Sequence, residues 1–579
     1  MALGGGTFIT QNKVLPGSYI NFVSTANAGL VFGDRGICAA PLNLNWGAEN
    51  EVIEVTAEDF EKKSLKIFGY AYTDEVMRPY RDLFKNAKKC YFYRVTSGSK
   101  ASASLGTARC AGTRGNSVFY TVAKNTDNEA LYDVCTYIRS LDSSVEANKL
   151  YDFESTKEIS PDIINVAGKA SISQDNSGDG DAPFACVIDA VREGTDLDSE
   201  GRPIGRALCF AGLTVPCNIR VTCIGNTQDS VKVFVDGSNP TALNPSISRT
   251  TAVFTIPAGD EAVRDIYVYG VAKIRMTKIE IVYEGAISDT IVDKQTVTAA
   301  NKLLDNDFIT WKTSATLAET AGTFLTGGFA KQATGSAYQN FLSAIEGYQF
   351  NILVCDSTTD TIKSLFTSFT KRLRDSVGVK FQTIVHNYAS DYEGIINLTT
   401  DAKDSTAALV WWIAGAEASC AINKSCTNKK YDGEYTPACT DTQAELENAI
   451  NNGEIKFHKV GSDYRVLTDI NSLVTTSEKS NLFCSNQTMR VCDQIAMDIA
   501  TIFNTRYLGI MPNDKPGRIA LWGDIVKYMK NLESLRAIED FTDTDVVVEQ
   551  GEVKRAVVVN APITVVNCME QLYMTVKVN

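Results

Sequence analysis

Two acidic, glycine-containing stretches come nearest to a ligand spacing in this sequence. Asp175, Ser177, Asp179 and Gly180, with Asp181 next, match the first half of a calcium loop, which needs oxygen ligands at alternate positions and a glycine at the sixth. Asp196, Asp198, Glu200 and Gly201 repeat the half-match. Position twelve, where the motif places a bidentate glutamate, is Cys186 in one and Ala207 in the other. A polar linker and a hairpin turn therefore account for both stretches more simply. Asp175, Ser177, Asp179 and Asp181 are carried forward only as calcium candidates, and no other cofactor is expected.

Catalytic machinery is short of parts. His386 and His458 are the two histidines, so an HExxH site has no material and a Ser/His/Asp triad has few bases to choose from. No GxxxxGK[ST] loop, GxGxxG junction or GxSxG elbow occurs, and the SxxK at Ser97 and Lys100 lacks a supporting SDN or KTG. The fifteen cysteines are odd in number, and Cys38, Cys90, Cys135, Cys355, Cys492 and Cys568 lie in or beside apolar runs, so free buried thiols are expected. Cys420, Cys426 and Cys439 are spaced too loosely for a CxxC zinc knuckle, with His458 well beyond. An enzyme is not expected.

A chain of 579 residues should divide into roughly three or four domains of about 150 residues each. Its 44% hydrophobic and 22% charged residues suit a folded protein. The net charge of −13 argues against a nucleic-acid partner, whose phosphates most of the surface would repel. No run of about 18 uncharged apolar residues is present, and MALGGGTFITQNK lacks the order of a secretory signal, so folding in the cytosol without membrane insertion is expected.

The ends of the chain are unusual. After Gly4, Gly5 and Gly6, the stretch Val14, Leu15, Pro16, Gly17, Ser18, Tyr19, Ile20 and Phe22 reads as an extended arm with too much apolar character for solvated disorder. At the other end, AVVVNAPITVVN and CMEQLYMTVKVN keep a strand pattern to the last residues, where termini ordinarily fray. Leu572, Met574, Val576 and Val578 alternate with Tyr573, Thr575 and Lys577, the period-2 signature of a half-buried strand. Such a strand needs a sheet, and a neighbouring copy would make the tail a connector.

Between the ends, residues 24–138 alternate strand and helix, as VTAEDFEKKSL shows with Thr56 as N-cap. Residues 139–287 change texture: ALCFAGL, NIRVTCIG, SVKVFVDG, TAVFTIPAG, RDIYVYGV and RMTKIEIVYEG are short strands at regular spacing, the pattern of a β-sandwich inserted through a surface loop. A βαβ unit follows, FNILVCD, then Ile362, Leu365, Phe366, Phe369 and Leu373 on one helix face, then KFQTIVHN. Lys371, Arg372 and Arg374 form a basic cluster there, read as a solvated helix end or a contact with an acidic partner subunit. DTQAELENAINNG is a capped helix, and two long helices are expected at 487–507 and 519–532.

MALGGGTFITQNKVLPGSYINFVS, RGICAAPLNLNWG, VTAEDF with LKIFGY, RDLFKNAKKCYFYRV, IKSLFTSFTKRLRD, NYASDYEGIINL and NCMEQLYMTVKVN together closely resemble the contractile tail sheath proteins of myophages and of phage-tail-like particles of Gram-positive bacteria. The resemblance covers most of 1–138 and 290–579. It implies a virion or particle subunit, made in the bacterial host cytoplasm, that forms a homo-oligomer of stacked rings, a helical sheath, around a tail tube. It implies contraction that drives the tube through an envelope, with tail tube, baseplate and tail terminator proteins as partners. Terminal arms that complete a β-sheet shared between subunits would correspond to about Val14 to Val23 and to Met569, Leu572, Tyr573, Met574, Thr575, Val576, Lys577 and Val578. The two long helices would face the tube and the insertion would project outward. A glycan-binding role for the insertion, with calcium from the Asp loops, is the alternative.

The expected fold is thus an α/β (α+β) multidomain sheath fold with an inserted all-β sandwich and extended terminal β-arms. The expected divisions are an arm at 1–23, a mixed α/β domain at 24–138 plus 288–344, the insertion at 139–287, a C-terminal α/β core at 345–555, and C-terminal strands and arm at 556–579.

Overall fold

Seven strands drawn from two distant stretches of the chain build one sheet. The computed structural model describes residues 35–578 apart from 142–148, 154–162, 166–171, 176–184, 193–194, 200, 215–216, 237–239, 258–262, 284–286, 332 and 478. In it, β1 (Ile37–Leu42), β2 (Val52–Thr56), β3 (Lys89–Arg94), β4 (Ile352–Val354), β5 (Gln382–His386), β6 (Ile395–Leu398) and β7 (Glu454–Ile455) lie in the order β2-β3-β1-β4-β5-β6-β7. Only β2 runs antiparallel to its neighbour. The expected division between a domain containing 24–138 and a separate core at 345–555 is therefore corrected, because β1 pairs with β3 on one side and with β4 on the other.

Pleating sorts the side chains of this sheet between two layers. Cys38, Ala40, Leu42, Cys90, Phe92, Ile352, Val354, Ile384 and Ile396 pack in one cluster with α1 (Ala57–Phe68), α2 (Arg78–Phe84) and α5 (Leu409–Ser419). Ala39, Tyr91, Tyr93, Leu353, Val385 and Ile395 face the other way, against α3 (Gly335–Ile345) and α4 (Asp360–Lys371). A parallel sheet covered on both faces needs strands that are apolar on both sides, and these are. Local chemistry fixes the helix ends. Thr56 Oγ1 accepts from the Asp59 amide at 3.1 Å to start α1, and Gly69 ends it at φ 74°, where an added Cβ would lie 2.5 Å from Trp46. Thr442 and Glu445 form a capping box that opens α6 (Gln443–Asn451).

Helix α5 is apolar on every side, LVWWIAGAEAS, and nearly every residue in it is buried. It passes so close to α2 that a Cβ at Gly415 would stand 2.2 Å from the Leu83 carbonyl oxygen and 3.3 Å from the Ala87 nitrogen. Gly415→Ala would gain about 1 kcal/mol of helix propensity. The clash with a backbone oxygen should outweigh it, for a net loss of about 2 kcal/mol. Thermal unfolding of the variant is expected to show a lowered midpoint, and an unchanged or raised one would mean that α2 and α5 separate at no cost.

The C-terminal part of the chain packs two antiparallel helices, α7 (Asn486–Arg506) and α8 (Lys515–Ser534), against two small ladders. Ile538–Glu539 pairs with Thr564–Val565, and Val547–Gln550 pairs with Val557–Asn560. Val491, Ile502, Leu521, Ile525, Met529, Leu532, Ile538 and Val546 form the core between them.

A second compact unit comprises Tyr137–Val292. The chain passes into it along Tyr132–Leu141 and out along Ile287–Val297. Each of the six segments read as strands is one, and they fall into two antiparallel sheets. Ile219, Val221, Ile279 and Ile281 of one sheet and Leu208, Phe210, Val233, Ile266 and Val268 of the other share a single apolar cluster. No helix among the described residues is long and apolar enough to cross a membrane.

Candidate assembly interface

The last strand of the fold, Thr564–Val565, is followed by a short, closely tethered segment. The Val566 amide donates to the Ala537 carbonyl at 3.1 Å. The buried Gln487 side chain clasps the next residues, donating to the Val566 carbonyl at 3.0 Å and accepting from the Cys568 amide at 3.0 Å. Thr488 donates to Asn567 Oδ1 at 3.2 Å. The last tether is Glu570, whose carboxylate accepts from Thr427 Oγ1 at 2.6 Å and from Thr468 Oγ1 at 3.1 Å.

Beyond Glu570 the chain leaves its own fold. Gln571 to Val578 form no strand, and their hydrogen bonding is confined to Tyr573 and Gln571. Leu572, Tyr573, Met574, Val576 and Val578 are between 69% and 91% exposed, and Met569 is fully so. A contiguous run of large apolar residues in water marks an interaction site. Thr575 and Lys577 are exposed as well, so neither face of the alternation is covered. The resemblance implied an arm starting at Met569. The structure moves the free part to Gln571, because Glu570 is held by two hydroxyls. Cys568, expected to be buried, is exposed.

The hairpin Val547–Gln550/Val557–Asn560 offers a matching edge. Among the described residues it has only its two strands, with Val547 and Val559 about two-fifths exposed. Two-stranded ladders are marginal alone, and unpaired edges recruit further strands.

The remaining site expectations fare differently. Val14, Leu15, Pro16, Gly17, Ser18, Tyr19, Ile20 and Phe22 lie outside the described residues, as do Ser177, Asp179 and Asp181. Asp175 closes the strand Ile172–Asp175 opposite Ala185 of Ala185–Ile188. In the second, Asp196 accepts from the Arg192 amide at 3.0 Å and Asp198 from the Arg202 amide at 2.9 Å, the work of a turn. Tyr267 and Tyr269 are buried with Phe234 and Cys209, which leaves the glycan-binding alternative without support from them.

The basic cluster at the end of α4 divides between surface and interior. Arg374 is buried and donates twice to the Asp493 carboxylate of α7, at 2.7 and 2.9 Å, while Arg372 pairs with Glu346 and Lys371 lies over the Tyr392 ring. Helix α7 is also less available than its position suggested, since Gln487 to Val491 are interior. Exposed apolar residues concentrate instead around the turn into α8, at Leu508, Ile510, Met511 and Ile519. His386 lies in β5 with Nε2 2.8 Å from Asp401, and burial lowers its pKa.

Sequence reading missed the residues that hold the tail's root. Gln487, Thr427 and Thr468 carry no local signal. Glu570 does, as the polar pair Glu570–Gln571 that interrupts the alternation.

The described residues thus set a sheet covered on both faces beside an exposed apolar tail, a surface of the kind that marks an interaction site. Residues 331–472 match the family model described as the phage tail sheath protein central domain, 478–579 the phage tail sheath C-terminal domain, and 35–95 the N-terminal region of tail sheath protein Gp18 domain III. The chain is 26% identical over 601 residues to the phage-like element PBSX protein XkdK of Bacillus subtilis, covering all of both. It is similar to the crystal structure of the sheath tail protein of Desulfitobacterium hafniense, at 26% identity and a TM-score of 0.62 over 96% of this chain and 99% of that one. The fold is shared with the Listeria innocua sheath tail protein, at 24% identity and a TM-score of 0.59 over 94% of each chain. The chain belongs to the contractile phage tail sheath proteins, a structural family and not an enzymatic one. Its place is the tail of a virion or of a phage-like particle.

Proposed function

We propose that this chain polymerises as stacked rings into a helical sheath around a tail tube, and that the sheath contracts to drive the tube through a bacterial envelope. The observation that carries the assembly step is the tail after Glu570, alternating in pattern, exposed on both faces and unpaired within its own chain. Pairing its backbone with the open edge of the Val547–Asn560 hairpin in a neighbouring copy would complete a ladder and cover Leu572, Met574, Val576 and Val578. The extended, apolar stretch at Val14 to Val23 is the second connector, as the resemblance implies. Ladders of this kind hold while subunits rotate as rigid bodies, so a sheath assembled in a metastable extended state can contract without a nucleotide. The turn carrying Leu508, Ile510, Met511 and Ile519 is the surface offered to the tube protein. The Tyr137–Val292 unit is an inserted sandwich on the outside of the lattice. Baseplate and terminator proteins complete the partner set, and assembly takes place in the host cytoplasm.

Charging the tail tests the reading. Met574→Asp/Val576→Asp puts two carboxylates where a shared ladder would desolvate them, at several kcal/mol per site. Negative-stain microscopy of the purified wild-type protein should show rings or tubes. The double variant should stay monomeric by light scattering with an unchanged circular dichroism spectrum, and wild-type-like tubes from it would sink the assignment.

A further inference from the structure

A cluster in the interior of the same unit is left unused by the assembly reading. Glu417 lies near the end of α5, Cys426 in the loop that follows, and Asp469 beyond the hairpin Phe457–Val460/Asp463–Val466. A carboxylate oxygen of Glu417, the Cys426 sulfur and a carboxylate oxygen of Asp469 lie within 4.8 Å of one another. Of the residues weighed for zinc in the sequence, Cys426 alone belongs to the group. Arg490 of α7 donates one Nη to Glu417 Oε2 and the other to Asp469 Oδ2. Both nitrogens sit on one carbon of a planar fork, so the two carboxyls are held side by side. All three side chains are 1% exposed.

One guanidinium cannot balance two carboxylates. Arg35 spends its donors on the Cys420 and Glu417 carbonyls, at 3.0 and 3.3 Å, where it meets the negative end of α5. Glu417 Oε1 and Asp469 Oδ1 are buried without a hydrogen-bond partner. Ionised, both can only accept, and they repel; one proton removes a charge and makes a donor and an acceptor of the two. A divalent cation would instead set two further positive charges beside Arg490. Burial, then the charge of Asp469, pushes the Glu417 pKa well up, so Glu417 is the carboxyl that carries the proton. The charged and titratable groups around the pair are Arg490 from α7, Arg35 from the stretch before β1, and Cys420 and Cys426 at and after the end of α5.

The segments that carry this pair also hold the root of the tail. Asp469 Oδ2 accepts from the Cys426 amide at 2.8 Å and from Ser425 Oγ at 3.2 Å. The Asp469 amide donates to Thr427 Oγ1 at 2.9 Å, and Thr427 and Thr468 are the two donors to Glu570. On α7, Gln487 and Thr488, which clasp Val566 to Cys568, lie within one turn of Arg490.

We infer that Glu417 and Asp469 share one proton, and that this proton closes a latch anchoring the root of the tail. Its loss puts a second negative charge into the interior, drives the carboxyls apart and loosens the 425–427 and 468–469 segments that hold Glu570. Any consequence for assembly rests on the reading of the tail as connector; the proton and the latch do not. The sign of the pH effect follows from linkage. The folded protein keeps a proton that the unfolded chain releases at an ordinary glutamate pKa, so this stability is present at acidic pH and is lost as pH rises through the folded pKa.

Infrared spectra of the full chain at neutral pH, wild type minus Glu417→Gln, should contain a protonated-carboxyl C=O band that shifts in D2O. Glutamine offers an N–H where the shared proton lies, so the variant should fold. Relative to it, the wild-type unfolding equilibrium should shift toward unfolding by up to about tenfold per pH unit between the two pKa values. Hydrogen exchange over 566–570, corrected for the intrinsic rate, should lose protection with rising pH in the wild type and not in the variant. In the wild type alone the band should vanish in step with that loss, a readout that needs no variant. Absence of the band, or its persistence in Glu417→Gln, would overturn the shared proton. A band whose loss leaves 566–570 equally protected would overturn the latch. Neither result depends on whether rings or tubes form, so failure here is separable from failure of the tail as connector.

Discussion

A chain lacking Met569–Asn579 is expected to fold as a monomer and to form neither rings nor tubes. Little holds these residues to their own subunit: the loss is confined to the two hydroxyl bonds accepted by Glu570, about 1 kcal/mol at a partly exposed site. Their value lies between subunits. Burying Leu572, Tyr573, Met574, Val576 and Val578 at about 2 kcal/mol apiece is worth roughly 10 kcal/mol. Ordering the same stretch costs on the order of 1 kcal/mol per residue, which offsets most of that gain. Ladder hydrogen bonds at about 1 kcal/mol each leave a few kcal/mol per tail. A single arm is thus a weak link, and a lattice in which every subunit both gives and receives arms multiplies it by effective concentration. Sedimentation velocity and electron microscopy should show the truncated protein as a single slow species with a near-native unfolding transition. Tubes from the truncated chain would exclude the tail as connector, and loss of cooperative unfolding would mean that the tail completes its own domain.

The second large effect is expected inside the fold. Arg490→Met removes the one side chain that bridges Glu417 and Asp469, all of them interior. Burial raises the pKa of Glu417; for Asp469 burial also pushes upward, but the charge and hydrogen bond of Arg490, with the bonds from Glu417 and the Cys426 amide, together outweigh it and the pKa is lowered. Removing the guanidinium strands both carboxyls, and breaking a buried pair in this way costs about 3–5 kcal/mol. The Lys424 carbonyl, which accepts from Arg490 at 2.9 Å, loses its donor as well. Denaturant unfolding should show the midpoint well below wild type. Exchanging Glu417 and Asp469 for Leu in the same background should recover part of the loss, since an apolar set of similar volume needs no partner. A wild-type midpoint for Arg490→Met would mean that the two carboxyls are neutral.

How much of this was open to sequence reading follows from the range of the interactions. The cap at Thr56 before α1 and the capped start of α6 were readable because a cap is made within a few residues. The unit β4–α4–β5 was readable from its two periodicities, and so were the strands of the Tyr137–Val292 unit. Helix α5 was not, because a helix buried on every side has no amphipathic stripe to report it. Nor was the role of Arg374, which looks like any basic residue at a helix end until Asp493 arrives from a helix far along the chain.

The sequence by itself determined the local elements, the apolar alternation of the final residues and the absence of catalytic motifs, since each rests on neighbours along the chain or on residue type alone. Tertiary structure alone decided that β1 and β4 share one sheet, that Arg490 joins Glu417 to Asp469, and that the chain becomes free at Gln571 and not at Met569. Parallel pairing, buried charge compensation and the tether at Glu570 each join residues remote in sequence, and nothing in a local pattern encodes which distant partner will meet them.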